Sequence, residues 1–175
     1  PARCAAATVY DSADGRAILF GGTSGEAFLN DTWAYDPVAN TWTDLTPAGT
    51  LPSIRVGHAM VYDPAGATVI MFGGRSEDGF FNDTWVYETA ANTWSLVETA
   101  GDAPTERYGH SMVYEPASGR AIITGGWDGN VYLSSTWAYD PQAKSWTSLD
   151  TSDDVPPPRA GHSVVYDSGN SRLVL

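Results

Sequence analysis

The chain has 175 residues, a formal net charge of −12 and a pI of about 4.3, and Lys144 is its single lysine. This acidic excess argues against a function in binding nucleic acid or anionic membrane surfaces. Hydrophobic residues make up 42% of the chain. Because no run of about 18 apolar residues occurs, the composition predicts a globular protein without membrane insertion. Cys4 is the only cysteine, which excludes an internal disulfide.

The predicted elements are short strands, and they are clearest between residues 57 and 97. Four segments rich in β-branched and aromatic residues follow one another there: residues 59–62, 68–72, 84–87 and 93–97. Turn-forming stretches at 63–67 and 88–92 join the first strand to the second and the third to the fourth. The pattern predicts a four-stranded antiparallel meander.

The same sequence pattern recurs at a fixed spacing of 52 residues. Gly57-His58 returns at Gly109-His110 and at Gly161-His162. The other markers with this spacing are a glycine pair (Gly21-Gly22, Gly73-Gly74, Gly125-Gly126) and two tryptophans (Trp33, Trp85 and Trp137; Trp42, Trp94 and Trp146). A period of this order, combined with short strands, is typical of the blades of a β-propeller.

The markers resemble those of the Kelch repeat. The likeness rests on Phe72-Gly73-Gly74, on the Asn-Asp-Thr-Trp-x-Tyr run from Asn82 to Tyr87, on Asn92 to Trp94, and on Arg-x-Gly-His from Arg107 to His110. Two departures occur: the first repeat has Ala5-Ala6 in place of Gly-His, and the third has Ser134-Ser135 in place of Asn-Asp. The regular repeats further resemble those of bacterial secreted or surface proteins, which implies an extracellular or cell-surface location.

The resemblance implies an all-β fold, a Kelch-type propeller with an incomplete ring. We predict three four-stranded antiparallel blades at about 5–45, 57–97 and 109–149, and a partial fourth blade at 161–175, so that residues 1–175 form one partial propeller domain. Since propellers usually close with about 4 to 8 blades, we expect a part of a larger propeller or an assembly in which other chains complete the ring.

Most repeating residues have a predicted structural role. The glycine pairs allow a sharp turn at the end of the second strand. The tryptophans are expected to fill the space between adjacent sheets. His58, His110 and His162 lack a carboxylate or cysteine at ligand spacing, so we expect hydrogen bonds to a neighbouring strand and predict no metal site.

Candidate binding residues lie on one face of the propeller, where the loops from the second to the third strand and the links into the next blade emerge together. The loops at 23–29, 75–81 and 127–133 differ between repeats, whereas the strands hardly do. The candidates are Phe80, Phe81, Trp127, Asp128 and Tyr132, together with the repeating arginines Arg55, Arg107 and Arg159. In similar Kelch domains such arginines can bind acidic peptides. The alternative, which we favour, is an internal ion pair between blades with Asp31 or Asp83.

Catalytic motifs are missing from the sequence. It has no Gly-x-Ser-x-Gly elbow, no His-Glu-x-x-His and no phosphate-binding glycine loop. We therefore predict a non-catalytic binding or scaffolding module without a cofactor, whose partner is a protein or a carbohydrate. Two alternatives stay open: part of an enzyme, such as a sugar-directed oxidase or isomerase with catalytic residues outside this segment, and a structural accessory subunit of a larger complex.

Overall fold

The computed structural model describes residues 2–149 and 155–175, which form three four-stranded antiparallel sheets and a hairpin. Blade 1 contains β1 (Ala7–Asp11), β2 (Arg16–Phe20), β3 (Thr32–Asp36) and β4 (Thr41–Asp44); blade 2 contains β5 (Ala59–Asp63), β6 (Thr68–Phe72), β7 (Thr84–Glu88) and β8 (Thr93–Val97); blade 3 contains β9 (Ser111–Glu115), β10 (Arg120–Thr124), β11 (Thr136–Asp140) and β12 (Ser145–Leu149); the hairpin contains β13 (Val165–Asp167) and β14 (Arg172–Val174). The predicted all-β fold with an incomplete ring is confirmed. No helix long and apolar enough to cross a membrane occurs in the described ranges.

Each blade is a meander in which strands pair in chain order. The four strands predicted between residues 57 and 97 are confirmed to within one residue. Acidic side chains at strand ends fix the turns by accepting backbone hydrogen bonds. The Asp63 carboxylate accepts one from the Ala65 amide at 2.9 Å, and the Asp36 carboxylate accepts from Val38 at 2.8 Å and Ala39 at 2.9 Å.

The first strands of successive blades lie side by side at the centre of the arc, and the fourth strands are outermost. A series of backbone hydrogen bonds links the blades where these inner strands begin. The Gly57 amide donates to the Ala5 carbonyl at 2.9 Å, Gly109 donates to Gly57 at 2.8 Å, and Gly161 donates to Gly109 at 2.7 Å. Consecutive repeats are therefore tied together at their centre by the backbone itself.

The hydrophobic core lies between the sheets rather than within any one of them. Ile18, Phe20 and Ala34 of blade 1 pack against Met71 and Trp94 of blade 2. A second cluster joins the opposite face of blade 2 to blade 3 in the same way. Blade 2 is covered on both faces, and all five residues of β6 are buried. Cohesion thus comes from contacts between neighbouring repeats.

The tryptophans follow this arrangement with one exception. Trp85, Trp94 and Trp146 are buried between sheets, and Trp137 packs partly buried against the second cluster. Trp42, however, is 51% exposed. The expectation that it fills an interblade space is wrong for this copy, because the face of blade 1 that carries Trp42 and the half-buried Trp33 has no sheet against it in the described structure.

The glycine pairs end the second strands with positive φ at all six positions, Gly21, Gly22, Gly73, Gly74, Gly125 and Gly126. Their main constraint is the close approach of the next blade. A Cβ atom on Gly73 would lie 2.7 Å from the Arg107 carbonyl oxygen. The neighbouring Gly74 amide donates to that same oxygen at 2.8 Å. A glycine is needed because another backbone occupies the space of a side chain.

The repeating histidines are buried against the preceding blade. The His58 ring meets the Phe20 ring edge-on at 5.5 Å between centroids, and His110 meets Phe72 at 5.6 Å. Neither ring nitrogen of His58, His110 or His162 makes a hydrogen bond with a described residue, although the Phe20 backbone lies near His58. Each of these two rings therefore packs on the phenylalanine that ends the second strand of the preceding blade, and the expected hydrogen bond to that neighbouring strand stays a prediction. Burial lowers the pKa of both His58 and His110 to about 3.

Candidate functional site

Arg55 lies inside the protein, with no exposed surface. Its guanidinium donates to both carboxylate oxygens of Asp83, at 2.7 and 2.8 Å, and to the Gly73 carbonyl at 2.9 Å. The Arg55 carbonyl meanwhile accepts a hydrogen bond from the Gly22 amide of blade 1. The favoured ion pair is present, but it lies within one repeat, and the backbone makes the contact between blades. Arg55 therefore links blades 1 and 2 through its backbone carbonyl, and its buried side chain is not available to a binding partner.

Arg107 is equally buried, yet its surroundings differ. Serine stands where the second repeat has aspartate, and both terminal nitrogens of Arg107 donate to the Ser135 hydroxyl at 3.2 Å. Among the described residues Arg107 forms no ion pair. Burial lowers the pKa of Arg107 to about 10, although the negative charge of Asp128 acts to raise it. Arg159 is half-buried and donates to the Pro157 carbonyl. We therefore place Arg55 and Arg107 with the structural residues and not with the contact surface.

The loops between second and third strands meet the links into the next blade on one side of the protein, which we call the loop face. Isolated backbone bridges join Val56 to Arg75 and Arg75 to Phe80 in blade 2, and equivalent bridges join Tyr108 to Trp127 and Trp127 to Tyr132 in blade 3. Each blade thus carries a small extra ladder above its inner strands. The positions are equivalent in every repeat, but the side chains on them are not.

The side chains of these ladders form an aromatic strip that crosses the three loops. The strip consists of Phe28, Arg75, Tyr108, Phe80, Trp127 and Tyr132. The Arg75 guanidinium lies 5.6 Å from the Phe28 ring centroid and 5.4 Å from that of Tyr108, and the Tyr108 ring is 5.9 Å from Phe80. These side-chain contacts run from blade 1 to Tyr108 in the link into blade 3, and backbone hydrogen bonds join Tyr108 to Trp127 at 2.9 and 3.0 Å. The three loops therefore adjoin one another across the loop face.

The blade 3 end of the strip is the most open. Tyr132 is 56% exposed and its ring lies 4.6 Å from that of Trp127, edge to face. Val131 beside it is 55% exposed. The Asp128 carboxylate accepts hydrogen bonds at 2.8 Å from the Asn130 and Val131 amides, and these bonds lower its pKa. The loop that presents Tyr132 is thereby held in a defined turn.

Two candidates fold back towards the protein. The Phe81 ring lies under the Arg55 guanidinium, 4.2 Å from it. Phe80 contacts Tyr108 and is so close to Gly129 that a Cβ atom there would lie 2.8 Å from the Phe80 ring. Of the sequence candidates, the structure brings Phe80, Trp127, Asp128 and Tyr132 together on the loop face.

Sequence reasoning missed Arg75 and Tyr108 as members of this surface. Arg75 forms no ion pair with the described residues and is held only between rings. Its position directly after the glycine pair holds threonine in the first repeat and tryptophan in the third. Variation at one fixed repeat position is the signal that would have found it, because the strands around it do not vary.

A second concave region lies on the opposite side, between blades 2 and 3, and is lined by turn residues that include Asp63, Tyr114 and Lys144. None of the predicted site residues lines it. Burial and the nearby Asp63 raise the pKa of Tyr114 to about 12. No group of three His, Cys, Asp or Glu side chains that could hold a metal occurs in the described part of the chain.

Comparison with known proteins agrees with the fold and the repeat markers. Residues 1–175 match the family model described as the KLHDC2/KLHL20/DRC7 Kelch-repeats domain. The chain belongs to the Kelch-repeat family. Kelch repeats are interaction modules in general, so this membership supports a role in protein–protein contact without naming the partner.

Similar proteins carry the repeats within much longer chains. The Rho GTPase-activating protein gacHH of Dictyostelium discoideum is 33% identical over 66% of this chain and 8% of its own length. The Arabidopsis thaliana serine/threonine-protein phosphatase BSL2 is 34% identical over 73% of this chain and 13% of its own. Acyl-CoA-binding domain-containing protein 4 of the same plant is 31% identical over 90% of this chain and 24% of its own. The chain therefore spans less than a quarter of these relatives, whose names indicate different activities.

Proposed function

We propose that this Kelch-repeat chain is a non-catalytic protein-binding module whose contact surface is the aromatic strip of the loop face. The observation that carries the proposal is the exposed Tyr132, packed edge to face on the half-buried Trp127, together with Arg75, on loops that vary between otherwise matching repeats. Aromatic and arginine side chains supply most of the binding energy in protein interfaces. Exposed apolar patches rimmed by polar residues mark interaction sites on soluble proteins.

The chemistry of the strip favours a protein over a carbohydrate as the partner. Arg75 offers guanidinium donors that no described carboxylate occupies, and the rings on either side hold it in place. Such a guanidinium pairs readily with a carboxylate or a backbone carbonyl of a partner. The extracellular or cell-surface location implied by the resemblance of the repeats stays a prediction.

The test compares two triple variants of the full chain as baits. The first, R75A/W127A/Y132A, removes the centre and the open end of the strip. The control, V38A/Q142A/K144A, changes three exposed residues in the turns on the opposite side. Captured proteins are quantified by crosslinking and mass spectrometry, and melting temperature is recorded for each bait.

We expect the loop-face variant to lose more than about 90% of its specific partners, as the loss of two interface anchors predicts. The control variant should keep them, and both should melt near the unaltered chain. Equal capture by the two variants, with both folded, would place the contact surface elsewhere.

A further inference from the structure

Each repeat ends its first strand with a carboxylate, and in three of the four repeats an arginine five residues later pairs with it. The pairs are Asp11 with Arg16, Glu115 with Arg120 and Asp167 with Arg172, with nitrogen–oxygen distances of 3.4, 3.5 and 3.2 Å. The second repeat has Asp63 at the first position but Thr68 at the second. Asp63 is only 4% exposed and forms no ion pair with any described residue. The second repeat therefore holds a buried carboxylate without the cation that the other three supply.

In the first repeat this arginine also fills the joint between two blades. The Arg16 guanidinium contacts the carboxylates of Asp11 and Asp14. It donates a further hydrogen bond, at 3.2 Å, to the Thr89 carbonyl of blade 2. Tyr62 of blade 2 lies beside the same Asp11 carboxylate. The joint between blades 1 and 2 thus places a guanidinium and a phenol next to one buried carboxylate.

The equivalent joint between blades 2 and 3 is open, and this opening is the concave region on the side away from the loop face. Because threonine is shorter than arginine, a groove of about 800 Å³ remains there. The residues equivalent to Asp11, Arg16, Tyr62 and Thr89 all line it: Asp63, Thr68, Tyr114 and Pro141. Small-molecule sites commonly have volumes of about 300–1,000 Å³, so the groove has room for a side chain from another molecule.

The charges of this groove favour a cation. Four carboxylates and one ammonium group line it: those of Asp63, Glu88, Glu98 and Asp140, and that of Lys144. The Asp63 Oδ1 atom accepts a hydrogen bond from the Ala65 amide at 2.9 Å, and Oδ2 lies beside Gly66 and Thr68. Lys144 is exposed and pairs with none of the carboxylates in the described structure. The groove therefore has an excess of negative charge around its buried carboxylate.

We propose that the groove between blades 2 and 3 binds the guanidinium group of an arginine side chain presented by a partner protein. The bound guanidinium takes the place that Arg16 has in the preceding joint, and Asp63 is its carboxylate. The Pro141 carbonyl corresponds to the Thr89 carbonyl as the second acceptor. A guanidinium matches such acceptors with its planar set of donors. The site is independent of the loop face, since no residue of the aromatic strip lines the groove.

The walls of the groove also suit the stem of an arginine. Val86, Leu96 and Val97 line it, and Leu96 is 50% exposed. Arginine packs its methylene groups along apolar surface while its charged end reaches polar partners. A metal ion fits less well, because no group of three His, Cys, Asp or Glu side chains that could hold one occurs in the described ranges.

The test titrates the full chain with N-acetylarginine amide, a probe that carries one guanidinium and no other charge. Two-dimensional proton–nitrogen NMR spectra follow the backbone amides of Gly66 and Tyr114, which line the groove. N-acetylcitrulline amide has nearly the same shape without the charge. Nα-acetyllysine amide has the charge without the planar group.

We expect saturable shifts of both amides with the arginine probe, with a Kd of about 1–10 mM. The citrulline probe should bind at least about 10-fold more weakly, because it lacks the charge that Asp63 attracts. D63N, which keeps an oxygen acceptor for the Ala65 amide, should weaken binding of the arginine probe to the same degree. Unsaturated shifts up to about 50 mM of the arginine probe would overturn the proposal. Equal binding of the lysine probe would overturn the assignment to a guanidinium.

Exchanges between repeats separate this groove from the general attraction of an acidic chain for cations. T68R supplies the arginine of the other repeats, so it should abolish binding of the probe and raise the melting temperature by about 2–4 °C. T68S keeps the groove open and should bind like the unaltered chain. K144A removes the ammonium group of the groove and should not weaken binding.

The opposite exchange, R16T, should open an equivalent groove between blades 1 and 2. We expect a second set of saturable shifts, in the turn at residues 11–16, with a Kd within about 10-fold of the first. Binding by T68R as strong as that of the unaltered chain would overturn the proposal. So would the lack of a second site in an R16T chain whose circular dichroism shows the normal strands.

Discussion

Repeats two and three have the same backbone arrangement and a buried arginine at the same position, but the side chain that this arginine contacts differs between them. Arg55 lies against the carboxylate of Asp83, whereas Arg107 lies against the hydroxyl of Ser135. Both guanidinium groups still donate to the carbonyl of the first glycine of the pair, at 2.9 and 3.0 Å. Backbone contacts therefore set the position of the arginine. The residue at the position of Asp83 and Ser135 decides whether the guanidinium has a counter-charge.

The largest effect is expected from D83S, which gives repeat two the serine of repeat three. Arg55 would stay buried without its counter-charge, and the Trp85 indole would lose the acceptor it holds at 2.7 Å. Breaking a buried pair in this way should reduce the free energy of unfolding by about 3 kcal/mol, measured by urea denaturation. D78S, at an exposed loop position, is the control. Equal losses of unfolding free energy in D83S and D78S would show that the Arg55–Asp83 pair does not stabilise the protein more than an exposed loop residue does.

The reverse exchange, S135D, gives repeat three the carboxylate of repeat two. It should raise the free energy of unfolding by about 2 kcal/mol, because a buried charge acquires a partner in a geometry the protein already uses. It should also raise the pKa of Arg107 from its lowered value of about 10. S135N tests whether charge or shape is responsible, and equal stability of the two variants would contradict the charge argument.

The histidines provide a feature in which the two repeats agree. Burial lowers the pKa of His58 and His110 from 6.5 to about 3. Below pH 6.5 these two histidines become protonated in the unfolded chain but stay neutral in the folded chain. The free energy of unfolding therefore falls as the pH drops from 6.5 towards 3. Each histidine should contribute about 1 kcal/mol per pH unit within that window.

The measurement is urea denaturation between pH 7 and 4.5, together with NMR titration of the imidazole signals. H58Q and H110Q should each flatten the pH dependence by a similar amount. A midpoint near pH 6.5 for either buried ring in the folded protein would contradict this prediction.

The smallest effect concerns the first repeat, where Ala5 occupies the place of Gly57 and Gly109. Ala5 has φ of 54°, in the left-handed region that disfavours a Cβ atom. A5G should therefore raise the free energy of unfolding by about 0.5–1 kcal/mol in thermal or urea denaturation. A6G, next in the chain and without a positive φ, should not stabilise. Destabilisation by A5G would show that the side chain makes a needed contact.

Much of the fold could be predicted because the repeat makes each marker appear several times. Strand positions, turns and the incomplete ring followed from local pattern and from the 52-residue period. The candidate surface was predicted only in part. Arg55 and Arg107 were candidates because of their position in the chain, and that position could not reveal that the guanidinium groups turn inward to a glycine carbonyl. Arg75 was missed because its contacts are rings from two other loops.

The sequence by itself determined that this protein is a set of Kelch blades, since strand and turn preferences act over a few residues and recur with the repeat. Only the tertiary structure decided which copies of a repeated residue are buried, paired or exposed. Trp42 and Trp94 are identical in the sequence pattern, and they differ because Trp94 has a sheet against it and Trp42 has none within the described part of the chain. Neighbouring blades, not local sequence, set that difference.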